Sequence, residues 1–171
     1  MDITKLFGLP AHPLLVHIPI VLVPMVAAGG IALVAVPSWR ARFGTLLVVL
    51  AGVALVGVQL ALSSGEGLEP HVERSSILHR HTEMADSMRP LALGLFLVTL
   101  AFVVLDARRR NADASSGASA LRLPMAVAGG LVVLLGVVSS VRLAQVGHNG
   151  ARASWHDVDL TSQHRGEGGG D

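Results

Sequence analysis

The chain has no cysteine, and only 15% of its 171 residues are Asp, Glu, Lys or Arg. The first absence excludes disulfides, thiolate metal sites, cysteine-ligated iron–sulfur clusters and covalent c-type haem attachment. Any cofactor would have to be held by His, Asp, Glu, Met or backbone oxygen. The second absence separates the chain from soluble domains, which carry about 25% charge. With 51% hydrophobic residues and a mean hydropathy of +0.60, the missing charge points to lipid. A formal net charge of +1 gives no electrostatic reason to expect a nucleic-acid partner.

What is present is a series of long apolar runs. The first extends from about Leu14 to Val36 and stops at Pro37-Ser38-Trp39-Arg40; the second, from about Phe43 to Leu62, stops at Ser63-Ser64-Gly65-Glu66. The third is densest from Pro90 to Leu105 but begins near Met84, and the fourth runs from about Leu123 to Val146. Roughly 20 residues cross the hydrocarbon at helical rise, so four spans nearly exhaust the length. Strand-like alternation is missing from these runs, and lipid permits only helices or closed barrels. The expected fold is an all-α integral membrane four-helix bundle over residues 1–155, followed by a disordered tail, 156–171.

Loop charge predicts the orientation. Arg40 and Arg42 follow span one and Arg108, Arg109, Arg110 and Arg122 follow span three, against Asp106 and Asp113, which places those loops in the cytoplasm. The opposite face is acidic, with Asp2, Glu66, Glu69, Glu73, Glu83, Asp86, Asp157 and Asp159. Both termini are then expected on the extracytoplasmic side. Span one reads as an uncleaved span, because a secretory signal carries its positive charge ahead of the apolar region. Asn111 to Ala120, rich in Ala, Ser and Gly, reads as a flexible linker.

Pro24-Met25 with Gly29-Gly30 resembles Pro124-Met125 with Gly129-Gly130, but the spans concerned run in opposite directions, and the match reads as shared small-residue composition. Gly52, Gly57, Gly94 and Gly136 suggest close helix contact. Gln59 could add an interhelical hydrogen bond.

The eight histidines carry the functional reading. His12 and His17 lie at the entrance of span one, His71, His79 and His81 between spans two and three, and His148, His156 and His164 at and beyond the end of span four. All are expected on one face, so separate chain regions deliver imidazole there, as a site between bundle helices requires. His17, a turn inside span one, is expected to face the bundle as a ligand or proton carrier, or to be satisfied by one hydrogen bond. His12 precedes Pro13 and so should lie outside regular helix, as an interface residue or a ligand. Glu66, Glu69 and Glu73, with His79, His81 and Glu83, form either a metal-binding cluster suited to zinc, iron or manganese or a solvated acidic loop. No His-Glu-x-x-His or Glu-x-x-His pattern is present. Arg142, inside the last turns of span four, would pair with Glu66 or Glu69 or neutralise a haem propionate, and Arg89 has the same two readings.

The opening Leu9-Pro10-Ala11-His12-Pro13-Leu14-Leu15-Val16-His17-Ile18-Pro19 resembles a family of small bacterial four-span membrane proteins, the domain of unknown function 2231 family. So do Ser64-Gly65-Glu66-Gly67-Leu68-Glu69 through Glu73, and Gly147-His148-Asn149-Gly150-Ala151-Arg152 to Trp155. The similarity covers about Gly8 to Trp155. Some members are joined to Rieske-type iron–sulfur domains, and the architecture is similar to that of small b-type cytochromes. The resemblance implies redox work near the outer face, with a separate redox partner protein, since this chain has no cysteine for a cluster of its own. Three readings follow. In the first, haem b takes His17 as one axial ligand and His81 or His148 as the other, with Arg142 or Arg89 on the propionates. In the second, a divalent ion binds among His12, His17, Glu66, Glu69, Glu73, His79, His81 and His148 in a sensory or transport role. In the third, a cofactor-free accessory subunit uses its polar cluster to fasten helices. Enzyme catalysis ranks below these, because no nucleophile and base stand at recognisable spacing.

Overall fold

A computed structural model describes residues 5–6, 8–72, 75–112 and 120–155. Among the described residues six helices carry the fold: α1 (Ala11–Leu15), α2 (His17–Ala35), α3 (Arg40–Leu68), α4 (Ser76–Asp86), α5 (Met88–Asn111) and α6 (Arg122–Trp155). A two-residue pairing of Lys5–Leu6 with Leu9–Pro10 precedes them, turning at Gly8, whose φ of 81° is open to glycine. Four candidate spans emerge, Ala11–Ala35, Pro37–His71, Ser76–Asn111 and Arg122–Arg152, each helical and apolar over more than the 18 residues a crossing needs.

The two helix breaks have the same cause. Pro19 has no N–H to give the Leu15 carbonyl, and Pro90 has none for the Asp86 carbonyl. The helix therefore steps three residues before each proline, at Val16 and at Ser87. His12 lies inside α1, not outside regular helix as expected. Pro13 falls in the first turn, where its missing N–H leaves no carbonyl unserved.

The buried core runs along the bundle from Val23, Val26 and Leu33 through Leu47, Ala51, Ala54 and Val58 to Leu95, Phe102 and Val132. Large apolar side chains also cover the outside: Leu46, Val49, Val53 and Val56 on α3, and Leu134, Val137 and Val141 on α6, are exposed. So wide an apolar surface is unfavourable in water and natural in lipid. Close approach is set by small residues, as the sequence led us to expect. A Cβ on Gly136 would stand 3.0 Å from the Cα of Ala27, and one on Gly57 would overlap Ile18. Gln59 faces outward.

Around the bundle α2 packs on α3 and α6, and α5 packs on the same two, so α2 and α5 occupy opposite corners. Helix α1 lies on α3 and α4 on α6. This is a pseudo-two-fold arrangement of two like halves, α1–α3 and α4–α6. At one constant sequence spacing His12 matches His81, Pro19 matches Met88, Val23 matches Ala92, Val26 matches Leu95, Gly30 matches Thr99 and Leu33 matches Phe102, with the same burial class in each pair. At a second constant spacing Gly44 matches Gly129, Leu47 matches Val132, Ala51 matches Gly136, Ala54 matches Ser139, Ala61 matches Val146 and Gly65 matches Gly150. The second spacing is longer because the connection from α5 to α6 is longer than the short 3-10 turn Pro37–Trp39. The contacts reciprocate as a two-fold demands: Gly44 meets Val103, and Gly129 meets Val34. The halves run in the same direction, so the axis lies along the bundle, the parallel type of repeat found in membrane proteins. The Pro24/Pro124 similarity is unrelated to this repeat, which pairs α2 with α5 and α3 with α6.

Candidate metal-binding site

The site begins with two carbonyls. His12, on α1, donates from Nδ1 to the Ala61 carbonyl of α3 at 2.9 Å. His81, on α4, donates from Nδ1 to the Val146 carbonyl of α6 at 3.0 Å. A carbonyl only accepts, so both rings are protonated at Nδ1 and carry their lone pair on Nε2. Each ring lies over the glycine one turn beyond its carbonyl. A Cβ at Gly65 would come within 3.1 Å of His12 Cε1, and one at Gly150 within 2.9 Å of His81 Cε1. The same device, carbonyl at one position and glycine four later, is built once in each half.

The two rings then meet. Their centroids are 6.4 Å apart with planes at 84°, and equivalent residues in mutual contact sit on the pseudo-two-fold axis. Both side chains are half-buried. Buried Ser64 adds polarity on one side: its hydroxyl donates to the Ala61 carbonyl at 2.9 Å and stands 3.3 Å from His12 Nδ1. Its counterpart Asn149 donates instead to Met84 Sδ at 3.2 Å and to the Gln145 carbonyl at 3.0 Å.

The other expected site residues go elsewhere. His17 is exposed and bonds from Nδ1 to the Pro13 carbonyl of the preceding turn at 2.7 Å; the expectation that it faces the bundle is thereby corrected. One local hydrogen bond satisfies the ring without turning it inward. His148 is exposed on α6, along a shallow, open hollow with Met84, Val141, Ala144, Gln145 and Asn149. His79 pairs with Glu83 at 3.3 Å on the outside of α4, four residues apart on one helical face, while His81 between them points the other way. Glu66 ends in an ion pair with Arg89 at 2.6 Å, both well exposed, so it is not the partner of Arg142. Arg142 instead donates to Ser87 Oγ at 2.7 Å, where α4 breaks into α5, and to Gln145 Oε1 at 3.4 Å. Glu69 and His71 are exposed in a short 3-10 turn; Glu73, His156, His164 and the tail 156–171 lie outside the described residues. Among the described residues no group of three or more His, Asp or Glu side chains stands close enough to share an ion.

The far end of the bundle holds a separate set of arginines, Arg40 and Arg110 among them. Arg40 donates to the Leu33 and Val34 carbonyls at 2.7 and 2.9 Å, closing the end of α2, and lies 5.3 Å over the Phe102 ring. Buried Asp106 joins Arg110 at 3.0 Å and Arg40 at 3.9 Å. Sequence reasoning missed both this network and the partnership of His12 with His81. The signal for the latter is in the chain: a histidine ahead of each kinked helix, and a glycine near the end of each returning helix, at constant spacings.

Compared with known proteins, the chain matches no curated protein and no solved structure. One family model does match, described as "Predicted membrane protein (DUF2231)", over residues 8–162. That stretch contains the whole bundle and both histidine–glycine units, and the chain belongs to the domain of unknown function 2231 family.

Proposed function

We propose that this protein carries a metal centre, haem iron or an ion, between His12 and His81 at the outer face of a bacterial inner membrane, and uses it in electron transfer. The observation that supports this reading is the meeting of two imidazoles from the two halves, with ring centroids 6.4 Å apart and Nδ1 of each held by a helix carbonyl, which leaves Nε2 of each as the donor. Both rings also have Nδ1 engaged by a carbonyl, the outer support that fixes the tautomer and orientation of a ligating imidazole. Haem held by these two rings would supply a one-electron couple tuned by burial.

In this reading His12 takes the role first given to His17. The arginine-rich loops face the cytoplasm, both termini lie outside, and a redox partner protein docks on the histidine face. Detergent-purified wild-type protein should contain haem or a metal in a one-to-one ratio by absorbance and elemental analysis, and both His12→Gln and His81→Gln should lose it. Retention of the full complement by both variants, or a wild-type protein that binds neither haem nor metal when supplied, overturns the proposal.

A further inference from the structure

Arg142 and Arg152 have no carboxylate partner among the described residues. Of the acids at the histidine end, Glu66 is taken by Arg89 and Glu83 by His79, while Glu69 and Asp86 stand exposed and pair with neither arginine. We infer that the hollow between α4 and α6 at this end binds the headgroup of an anionic phospholipid, with Arg142 and Arg152 as its cations. The site is separate from the proposed metal centre, since neither His12 nor His81 lines the hollow.

The repeat shows what the fold alone requires here. At the spacing that relates α3 to α6, Arg142, Gln145, His148 and Arg152 fall opposite Gly57, Leu60, Ser63 and Gly67; at the other spacing Ser87 falls opposite Ile18. In the first half Ile18 lies so close on Gly57 that a Cβ there would overlap it, and in the second half the equivalent contact is Arg142 with Ser87 Oγ at 2.7 Å. Apolar packing therefore suffices to close this joint. The second half instead places a cation inside a span, where charge is expensive and marks function by default.

Donor count points to an anion. A guanidinium carries five N–H groups. Arg142 gives one to Ser87 and one to Gln145 Oε1, and the other three meet no acceptor among the described residues. The side chain is half-buried and reaches along α6 toward Gln145, the direction of the histidine end. A lipid phosphate is the acceptor that the bilayer offers there, and its oxygens match the guanidinium fork.

The lining has the same two-part character as a lipid. Met84, Val141 and Ala144 suit an acyl chain, and Gln145, His148 and Asn149 suit a polar head. Val141 and Ala144 are exposed on the outside of the bundle, so the hollow opens to the bilayer. Arg152 follows His148 by one helical turn, and Trp155 beyond it is exposed, as befits a ring at headgroup level. Basic pockets between spans are where anionic headgroups bind.

The test uses the full chain, purified in detergent and titrated by native mass spectrometry with phosphatidylglycerol and with phosphatidylcholine of the same acyl chains. One phosphatidylglycerol should bind at least about 10-fold more tightly than phosphatidylcholine, and excess inorganic phosphate should not displace it. Loss of one cation should cost about 5-fold, in Arg142→Gln and in Arg152→Gln alike. Arg89→Gln, whose guanidinium is held by Glu66, should keep the wild-type preference. Arg152 is exposed, so its variant reads the site even if Arg142→Gln fails to fold. Equal binding of the two lipids, a preference that Arg152→Gln leaves intact, or displacement by inorganic phosphate overturns the inference. Metal or haem content should be the same in Arg152→Gln as in the wild type, so the lipid site and the histidine pair fail separately.

Discussion

The two ends of this bundle treat polar groups in opposite ways. At the arginine end, each buried charge has an assigned partner: Arg40 closes the carbonyls of α2 and joins Asp106, which also holds Arg110. At the histidine end, His12 and His81 have one ring nitrogen secured on a helix carbonyl and the other directed to no hydrogen-bonding partner among the described residues. The first end is closed by its own charges and reads as structure. The second holds two lone pairs in a fixed, half-buried place, which is what a binding site requires. Symmetry sharpens the contrast. Arg40 corresponds to Met125 and is unmatched across the axis, whereas the histidine, carbonyl and glycine of the site are matched in full.

The contrast can be broken at either end, and the largest effect belongs to the ligands. His12→Gln with His81→Gln should abolish metal occupancy while shifting the thermal midpoint of the apo-protein by little, read by elemental analysis and by melting in detergent. Next comes Asp106→Ala, which removes the buried carboxylate that Arg110 and Arg40 share. A loss of roughly 3 kcal/mol is expected for breaking a buried pair, seen in the melting curve, with metal stoichiometry retained. Gly65→Ala and Gly150→Ala should follow. Each new methyl presses on a ring that must shift by a few tenths of an ångström. Displacement of this kind should cost about 10-fold in metal affinity, measurable by competition titration, with the fold intact. Glu66→Gln is the smallest. Its exposed bridge to Arg89 should contribute at most about 1 kcal/mol, within the scatter of a melting experiment.

Much of the fold was legible in the chain because membrane physics leaves few choices. Four apolar runs of spanning length, with glycines where backbones touch, dictate a helical bundle, and the structure has one. The site was legible only in part. That histidines from several spans gather at one end follows from topology, but which of them meet depends on helix rotation. His17 looked the more buried of the opening pair because it lies deeper in the apolar run. The break at Val16 lets it turn outward and back to the Pro13 carbonyl of α1, while His12 reaches across to Ala61. On α4 the alternation of His79, His81 and Glu83 separates an exposed ion pair from the ring that faces α6. The repeat was hidden by its unequal spacings, since the longer connection after α5 shifts the second helix of the second half out of register with the first. The Pro24/Pro124 similarity drew the eye to the wrong pairing of spans.

A panel of eight variants, each replacing one histidine with glutamine, tests the central claim most directly when metal or haem content is measured on all of them under one set of conditions. The account expects His12→Gln and His81→Gln to lose the centre, with the other six, His17→Gln and His148→Gln among them, keeping wild-type content. Loss in His17→Gln or His148→Gln equal to that in His12→Gln, or no loss in any variant, would contradict it.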